Sequence, residues 1–208
     1  MCHAIVRDRA RSGEPIGLFV KHGYMQSVRC MYRDDPAIRL IAVEDDHEVR
    51  RMLRRHPGWP VETIGFDYLG DDQADFAEAF YRQAGLPYSQ RWDGFRLARD
   101  REREAAVFRR LIPDGRPYIF LHGDPTRGYR IDRTRIPSDM PVVFPSPGVT
   151  DTLFDYCGIL EGAAEIHCMD SAFRHLVDSL PTVPGKLFLH HYVKPFDVPS
   201  RHAWQRLY

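Results

Sequence analysis

Apolar residues come in short runs along this chain, and most runs hand over to a polar segment with helical spacing. Ile16-Gly17-Leu18-Phe19-Val20 reads as a buried strand ending at Lys21-His22-Gly23. Residues 24–33 then place Met25, Val28, Met31 and Tyr32 on one side of a helix, and Pro36 stops them. Residues 38–43 read as a second strand, and Asp45-Asp46 open a basic helix running to Arg55, since acidic groups suit a helix N-terminus. Residues 3–11 read as a helix ended by Gly13, and residues 61–66 as a third strand. Asp71-Asp72 read as the start of a helix that Gly85 and Pro87 close.

Residues 86–99, with Tyr88, Arg91, Trp92, Phe95 and Arg96, lack clean periodicity and read as a linker or crossing segment. The alternation then resumes. The pattern predicts a helix over 100–111, strands at 117–122 and 141–145 with a long loop between them, and a helix over 150–161. A strand at 165–169, a helix at 171–180 ended by Pro181, and a strand at 186–190 follow. Strands alternating with helices imply βαβ units and a mainly parallel sheet. Because the pattern runs twice, the expected α/β architecture is two small Rossmann-like halves facing a cleft, residues 1–90 and 91–208. One continuous doubly wound sheet is the alternative.

Composition narrows the class. The chain has 208 residues with 29 basic and 29 acidic side chains, so it lacks the basic excess of a general nucleic-acid or anionic-membrane binder. No apolar run approaches the roughly 20 residues that span a bilayer. The 4 cysteines, Cys2, Cys30, Cys157 and Cys168, form no CxxC pair, which predicts free thiols and a cytoplasmic setting. The opening Met1–Arg9 stretch has no apolar core, so no signal peptide is expected there.

Candidate chemistry gathers at strand ends, where parallel sheets bind ligands. The strand at 117–122 ends in His122-Gly123-Asp124-Pro125-Thr126-Arg127-Gly128: a turn by its Gly-Asp-Pro, and an anion clamp by His122 and Arg127. Asp170-Ser171 follows the strand at 165–169, and Ser171 is an N-cap whose helix terminus suits a phosphate. His190-His191, followed by Tyr192 and Lys194, ends the last strand, and period-two alternation sends the two imidazoles to opposite faces. Lys21, Asp170, His190, His191 and Lys194 are further cleft candidates. His122, His167, Cys168, His190 and His191 lack the close spacing of structural zinc ligands, so no metal site is expected. Cys157 and Cys168 sit inside apolar patterns and read as inert. The chain has no GxGxxG, GxxxxGK[ST] or GxSxG motif.

The succession FYRQAGLPYSQRW, YIFLHGDPTRGYRID, LFDYCGILEGAAEIHCMDSAFRHLVDSL and KLFLHHYVK resembles bacterial and viral glycosyltransferase-like proteins of GT-B type. These are distantly similar to fucosyltransferases that use GDP-fucose. The resemblance spans residues 16–194. It implies a donor domain in the second half and an acceptor side in the first. His122 and Arg127 would meet the donor diphosphate, with Ser171 at the turn that starts the donor helix. In such fucosyltransferases the Arg follows the His closely, whereas here Gly123-Asp124 intervene and Arg127 comes later. The implied activity is metal-independent transfer of a sugar from a GDP- or UDP-linked donor, the substrate rather than a cofactor, to a glycan or other hydroxyl acceptor. His22 or Asp124 would act as base. A non-catalytic nucleotide- or sugar-binding module, or another Rossmann-like enzyme such as an epimerase or methyltransferase, are the alternatives.

Overall fold

The computed structural model describes residues 2–11, 13–66, 76–124, 127–136, 139–146, 148–183, 185–193 and 199–208. The chain divides into two units, Met1–Ala98 and Arg99–Tyr208.

The first unit runs α1 (His3–Ala10), β1 (Ile16–Lys21), α2 (Met25–Tyr32), β2 (Ile38–Val43), α3 (Asp46–Arg55), α4 (Phe76–Gln83) and α5 (Gln90–Asp93). β1 and β2 pair in parallel from Ile16 opposite Ile38 to Lys21 opposite Val43, with α2 as the crossover. Ala10, Tyr32 and Ile38 form a buried cluster, joined by Val6, Leu18 and Val28, so α1 and α2 both pack on this pair. The Asp45 carboxylate accepts the Glu48 N–H at 2.8 Å and caps α3, as the acidic start predicts.

The third strand expected at 61–66 does not form. Its polar groups bond side chains instead of a ladder: Gly65 uses both its N–H and its carbonyl on the Gln83 amide, at 2.9 and 3.1 Å, and Glu62 is gripped by Arg9 at 2.8 and 2.7 Å. The expected helix start at Asp71-Asp72 lies outside the described residues. The segment 86–99 is no linker. Tyr88 packs edge-on to Tyr81 at 5.6 Å, Phe95 lies on His3 at 4.9 Å, and the Arg96 N–H donates to His3 Nε2 at 3.1 Å. The expected boundary after residue 90 therefore falls within the first unit. The aromatic residues that break the periodicity are the ones that pack there.

The second unit contains α6 (Arg101–Leu111), β3 (Ile119–His122), β4 (Val142–Val143), α7 (Cys157–Gly162), β5 (Glu165–Cys168), α8 (Ala172–Ser179), β6 (Lys186–His190) and β7 (Gln205–Leu207). These build a parallel five-stranded sheet in the order β4-β3-β5-β6-β7, flanked by helices and compatible with a Rossmann-like fold. The expected helix at 150–161 starts as a 3-10 turn, Leu153–Tyr156, before α7.

Alternation along β3 assigns the two faces of the sheet. Phe120 meets Tyr156 at 6.3 Å and Phe173 of α8 at 5.3 Å, and those two rings touch each other at 5.4 Å. Ile119 and Leu121 face the other way, against Ile131, Ile136 and Met140. β7 was not expected from so short a run. It follows a segment held to α8 by Asp178, whose carboxylate accepts the Trp204 indole N–H at 2.9 Å and the His202 N–H at 3.4 Å.

Candidate functional site

Counted within the second unit, the strand order is 2-1-3-4-5, a doubly wound order whose direction reverses between β3 and β5. In such sheets the crevice for a ligand opens outside the carboxyl ends of the two strands at the reversal. Here those ends carry His122 and, just past Cys168, the Asp170-Ser171 turn. They are also bonded to each other, since the Met169 N–H donates to the His122 carbonyl at 3.2 Å.

His122 Nδ1 and Ser171 Oγ are 3.0 Å apart. Ser171 has the extended backbone of an N-cap, and its oxygen accepts the Arg174 N–H at 3.4 Å. Its own hydrogen can donate to His122 Nδ1. Burial lowers the His122 pKa from 6.5 to about 4, opposed in part by the Asp124 charge, so the ring is neutral at pH 7. With Nδ1 accepting from Ser171, Nε2 would carry the proton. His122 therefore offers a ligand a fixed N–H donor rather than a cation. Phe173, with its ring centroid 4.6 Å from the imidazole, holds the ring from the helix side.

The N-terminus of α8 opens at the same point. A first helical turn leaves its leading amides without intrahelical carbonyls and carries the positive end of the helix dipole. Asp170 does not project into this opening. It is buried, and its carboxylate is bound by Arg174 at 3.0 Å with His175 at 3.6 Å. An anion at the helix start thus meets a carboxylate already paired with a guanidinium. Neither Phe173 nor Arg174 was singled out from the sequence. The Asp170-Arg174-Asp178 spacing of four residues was the available signal for Arg174.

Asp124 and Arg127 belong to one turn. The Asp124 N–H donates to the Tyr129 carbonyl at 2.8 Å, and the Arg127 and Tyr129 N–H groups donate back to the Asp124 carbonyl at 3.1 and 2.9 Å. Gly123 has no room for a side chain, because a Cβ there would lie 2.9 Å from the Tyr129 carbonyl oxygen. Gly128 closes the turn at φ +83°, a conformation that favours glycine. Arg127 is 70% exposed, 3.7 Å from the Asp124 carboxylate and over the Tyr129 ring. The turn thus sets Asp124 beside the His122–Ser171 pair and Arg127 at its solvent side.

Lys21 ends β1 in the first unit, and His22 opens the 3-10 turn that follows it. Both are exposed, Lys21 paired with Asp46 at 3.2 Å and His22 with Glu44 at 3.5 Å. His190 is not a cleft residue. It is fully buried, in a row on the Leu121 face of the sheet. His190 Nε2 lies 2.9 Å from His167 Nδ1, His167 Nε2 lies 3.2 Å from Glu165, and His190 Nδ1 lies 3.1 Å from the Tyr192 hydroxyl, which accepts the Asp132 N–H at 3.0 Å. His191 donates its N–H to the Leu207 carbonyl at 2.8 Å and its ring meets Tyr208. Lys194 lies outside the described residues.

The two buried cysteines have no site chemistry. Burial pushes the Cys157 thiol up to about 12 and the Cys168 thiol higher still. Among the described residues no group of three or more His, Cys, Asp or Glu is placed to hold a metal ion, and no helix is long and apolar enough to cross a membrane. Comparison of the chain with family models, with curated proteins and with solved structures finds no match.

Proposed function

We propose that the second unit holds the diphosphate of a nucleotide sugar at the carboxyl ends of β3 and β5, and that the protein transfers the sugar to a glycan or other hydroxyl acceptor. The observation that carries this reading is the His122–Ser171 pair beside the N-terminus of α8, at the point where the strand order reverses. A neutral imidazole N–H and the helix terminus suit phosphate oxygens, and Arg127, 70% exposed and 3.7 Å from the Asp124 carboxylate, can swing to them. Donors fixed in advance where the leaving diphosphate gathers charge supply rate. The GT-B-like assignment gives the donor to the second unit and the acceptor to the first. Asp124 or His22 takes the acceptor proton, in a cytoplasmic setting.

Calorimetry with GDP and with UDP tests the reading. One of the two is expected to bind, and His122→Ala is expected to weaken it by about tenfold, the equivalent of about 1.4 kcal/mol. Absence of binding by either nucleotide overturns it. A second reading, a nucleotide- or sugar-binding module without catalysis, is favoured by the exposure of Arg127 and its pairing with Asp124. Nucleotide binding without hydrolysis or transfer of any donor in a GDP- and UDP-sugar panel selects it.

A further inference from the structure

In the first unit, α3 gathers positive charge on one face. Between Val49 and Val61 the chain carries Arg50, Arg51, Arg54 and Arg55 and no acidic residue. At about 100° per residue these arginines fall within an arc of about 140°, with Val49, Met52 and Leu53 on the opposite side. Burial follows the same division: the arginines are exposed and the three apolar side chains are half-buried. The chain as a whole has 29 basic and 29 acidic side chains, so the excess is a local one.

The acids of this region lie at the other end of the helix, and each is engaged there. Asp45 caps α3, and the Glu48 carboxylate accepts the Glu44 N–H at 2.8 Å. Glu44 lies 3.5 Å from His22, and Asp46 lies 3.2 Å from Lys21. The Asp45 pKa is lowered chiefly by the bond from the Glu48 N–H, with Arg51 the weakest of its influences. Past the helix, Glu62 is held by Arg9 at 2.7 Å. Among the described residues, no carboxylate is within ion-pair distance of Arg50, Arg51, Arg54 or Arg55. The dipole of α3 favours Arg54 and Arg55 in its last turn, but it does not account for Arg50 and Arg51.

An aromatic platform follows directly. The His56 N–H donates to the Leu53 carbonyl and the Trp59 N–H to the His56 carbonyl, both at 3.1 Å. This turn stacks the two rings, with centroids 4.3 Å apart and planes 6° from parallel. Trp59 is still 45% exposed, so the stack leaves much of the indole open to water.

We propose that this end of α3 binds single-stranded nucleic acid, with the arginines on phosphates and a base stacked on Trp59. A guanidinium matches the paired oxygens of a phosphate, and an exposed aromatic ring takes any unstacked base. A duplex keeps its bases stacked on each other and has none to give Trp59. A bilayer would need apolar side chains on the arginine face, and Val49, Met52 and Leu53 lie on the other. The proposal stands on the first unit alone and does not rest on the donor reading.

The test follows, by fluorescence anisotropy at low salt, a labelled oligothymidylate of about 12 nucleotides binding to the full chain. Oligouridylate is the RNA competitor. An abasic strand of the same length keeps the phosphates without the bases, polyglutamate supplies charge alone, and phosphatidylserine vesicles supply an anionic membrane. Oligothymidylate and oligouridylate are expected to compete at least about tenfold better than the other three. Trp59→Ala is expected to lower the affinity by about tenfold, and Trp59→Phe to retain part of it. The double variant Arg50→Gln/Arg54→Gln is expected to flatten the slope of log affinity against log salt by about 1.4, two phosphate contacts at about 0.7 each. All these substitutions are at exposed positions and should leave the melting temperature unchanged. The abasic strand or polyglutamate competing as well as oligothymidylate, tighter binding to the vesicles, unchanged affinity in Trp59→Ala, or an unchanged salt slope in the double variant each overturns the proposal.

Discussion

Acid is expected to destabilise the second unit through its buried imidazoles, and His190 allows the effect to be sized. Its hydrogen bonds run in one direction. The Asp132 N–H donates to the Tyr192 oxygen, the Tyr192 hydroxyl to His190 Nδ1, His190 Nε2–H to His167 Nδ1, and His167 Nε2–H to the Glu165 carboxylate. Each imidazole is neutral in this arrangement, and a proton added to His190 Nδ1 would face a hydroxyl that has to reverse. Burial, then the neighbouring His167, then the Arg135 guanidinium lower the His190 pKa from 6.5 to about 4. Burial also lowers that of His167, with Glu165 pulling the other way.

A group whose folded pKa lies below its unfolded value binds more protons when unfolded. The stability it supports is complete above 6.5, falls as the pH drops, and is fully lost below about 4. At 1.36 kcal/mol per unit, the whole span for His190 is about 3 kcal/mol, of which about 2 kcal/mol falls between about pH 7 and about pH 5. Amide hydrogen exchange of β5 and β6, corrected for intrinsic rates, reads the opening free energy of this sheet at the two pH values. Wild type should lose more than the His190 share, because His122 is shifted in the same sense. The comparison with His190→Gln isolates the residue, and its pH dependence should be shallower by about 2 kcal/mol. Equal pH dependence in the two proteins would refute the argument.

Asp178→Ala should destabilise the second unit by about 3 kcal/mol in urea unfolding, because it strips the buried Arg174 of one carboxylate and leaves the Trp204 N–H without its acceptor. Ellman's reagent should leave Cys157 and Cys168 unmodified in the native protein while reaching the partly exposed Cys30; rapid modification of all thiols without denaturant would show that the burial is wrong.

What the sequence revealed followed from how local each signal is. β2, α3 and β6 each form where the pattern places them, because a run of Ile-Arg-Leu-Ile-Ala-Val or an Asp cap carries its structure within a few residues. The failures share the opposite cause. Residues 61–66 read as a strand, but a strand needs a neighbouring strand for its N–H and C=O groups, and Gly65 gives both of its own to the Gln83 amide while the Glu62 side chain goes to Arg9. β7 shows the converse. Gln205-Arg206-Leu207 has no pattern to detect, and it pairs with β6 after a segment tied to Asp178 through Trp204 and His202.

The candidate site divides along the same line. His122 and Ser171 could each be placed at a strand end, but their juxtaposition depends on β3 and β5 being neighbours, which strand succession does not determine when β4 intervenes in the chain. Once they are neighbours, the chemistry differs from that of two separate anion ligands. The Ser171 hydroxyl is used twice within the protein, as cap for α8 and in its bond with His122, so in the proposed phosphate binding its part would be to aim the imidazole. With His122 neutral and Asp170 already paired, positive charge at the opening can come from the dipole of α8 and from Arg127. A ligand bound there should therefore lose affinity steeply on Arg127→Ala at low salt and less at high salt, whereas the loss on His122→Ala should be nearly independent of salt. Ionic strength screens a charge at the surface far more than a short hydrogen bond made within a partly buried pair.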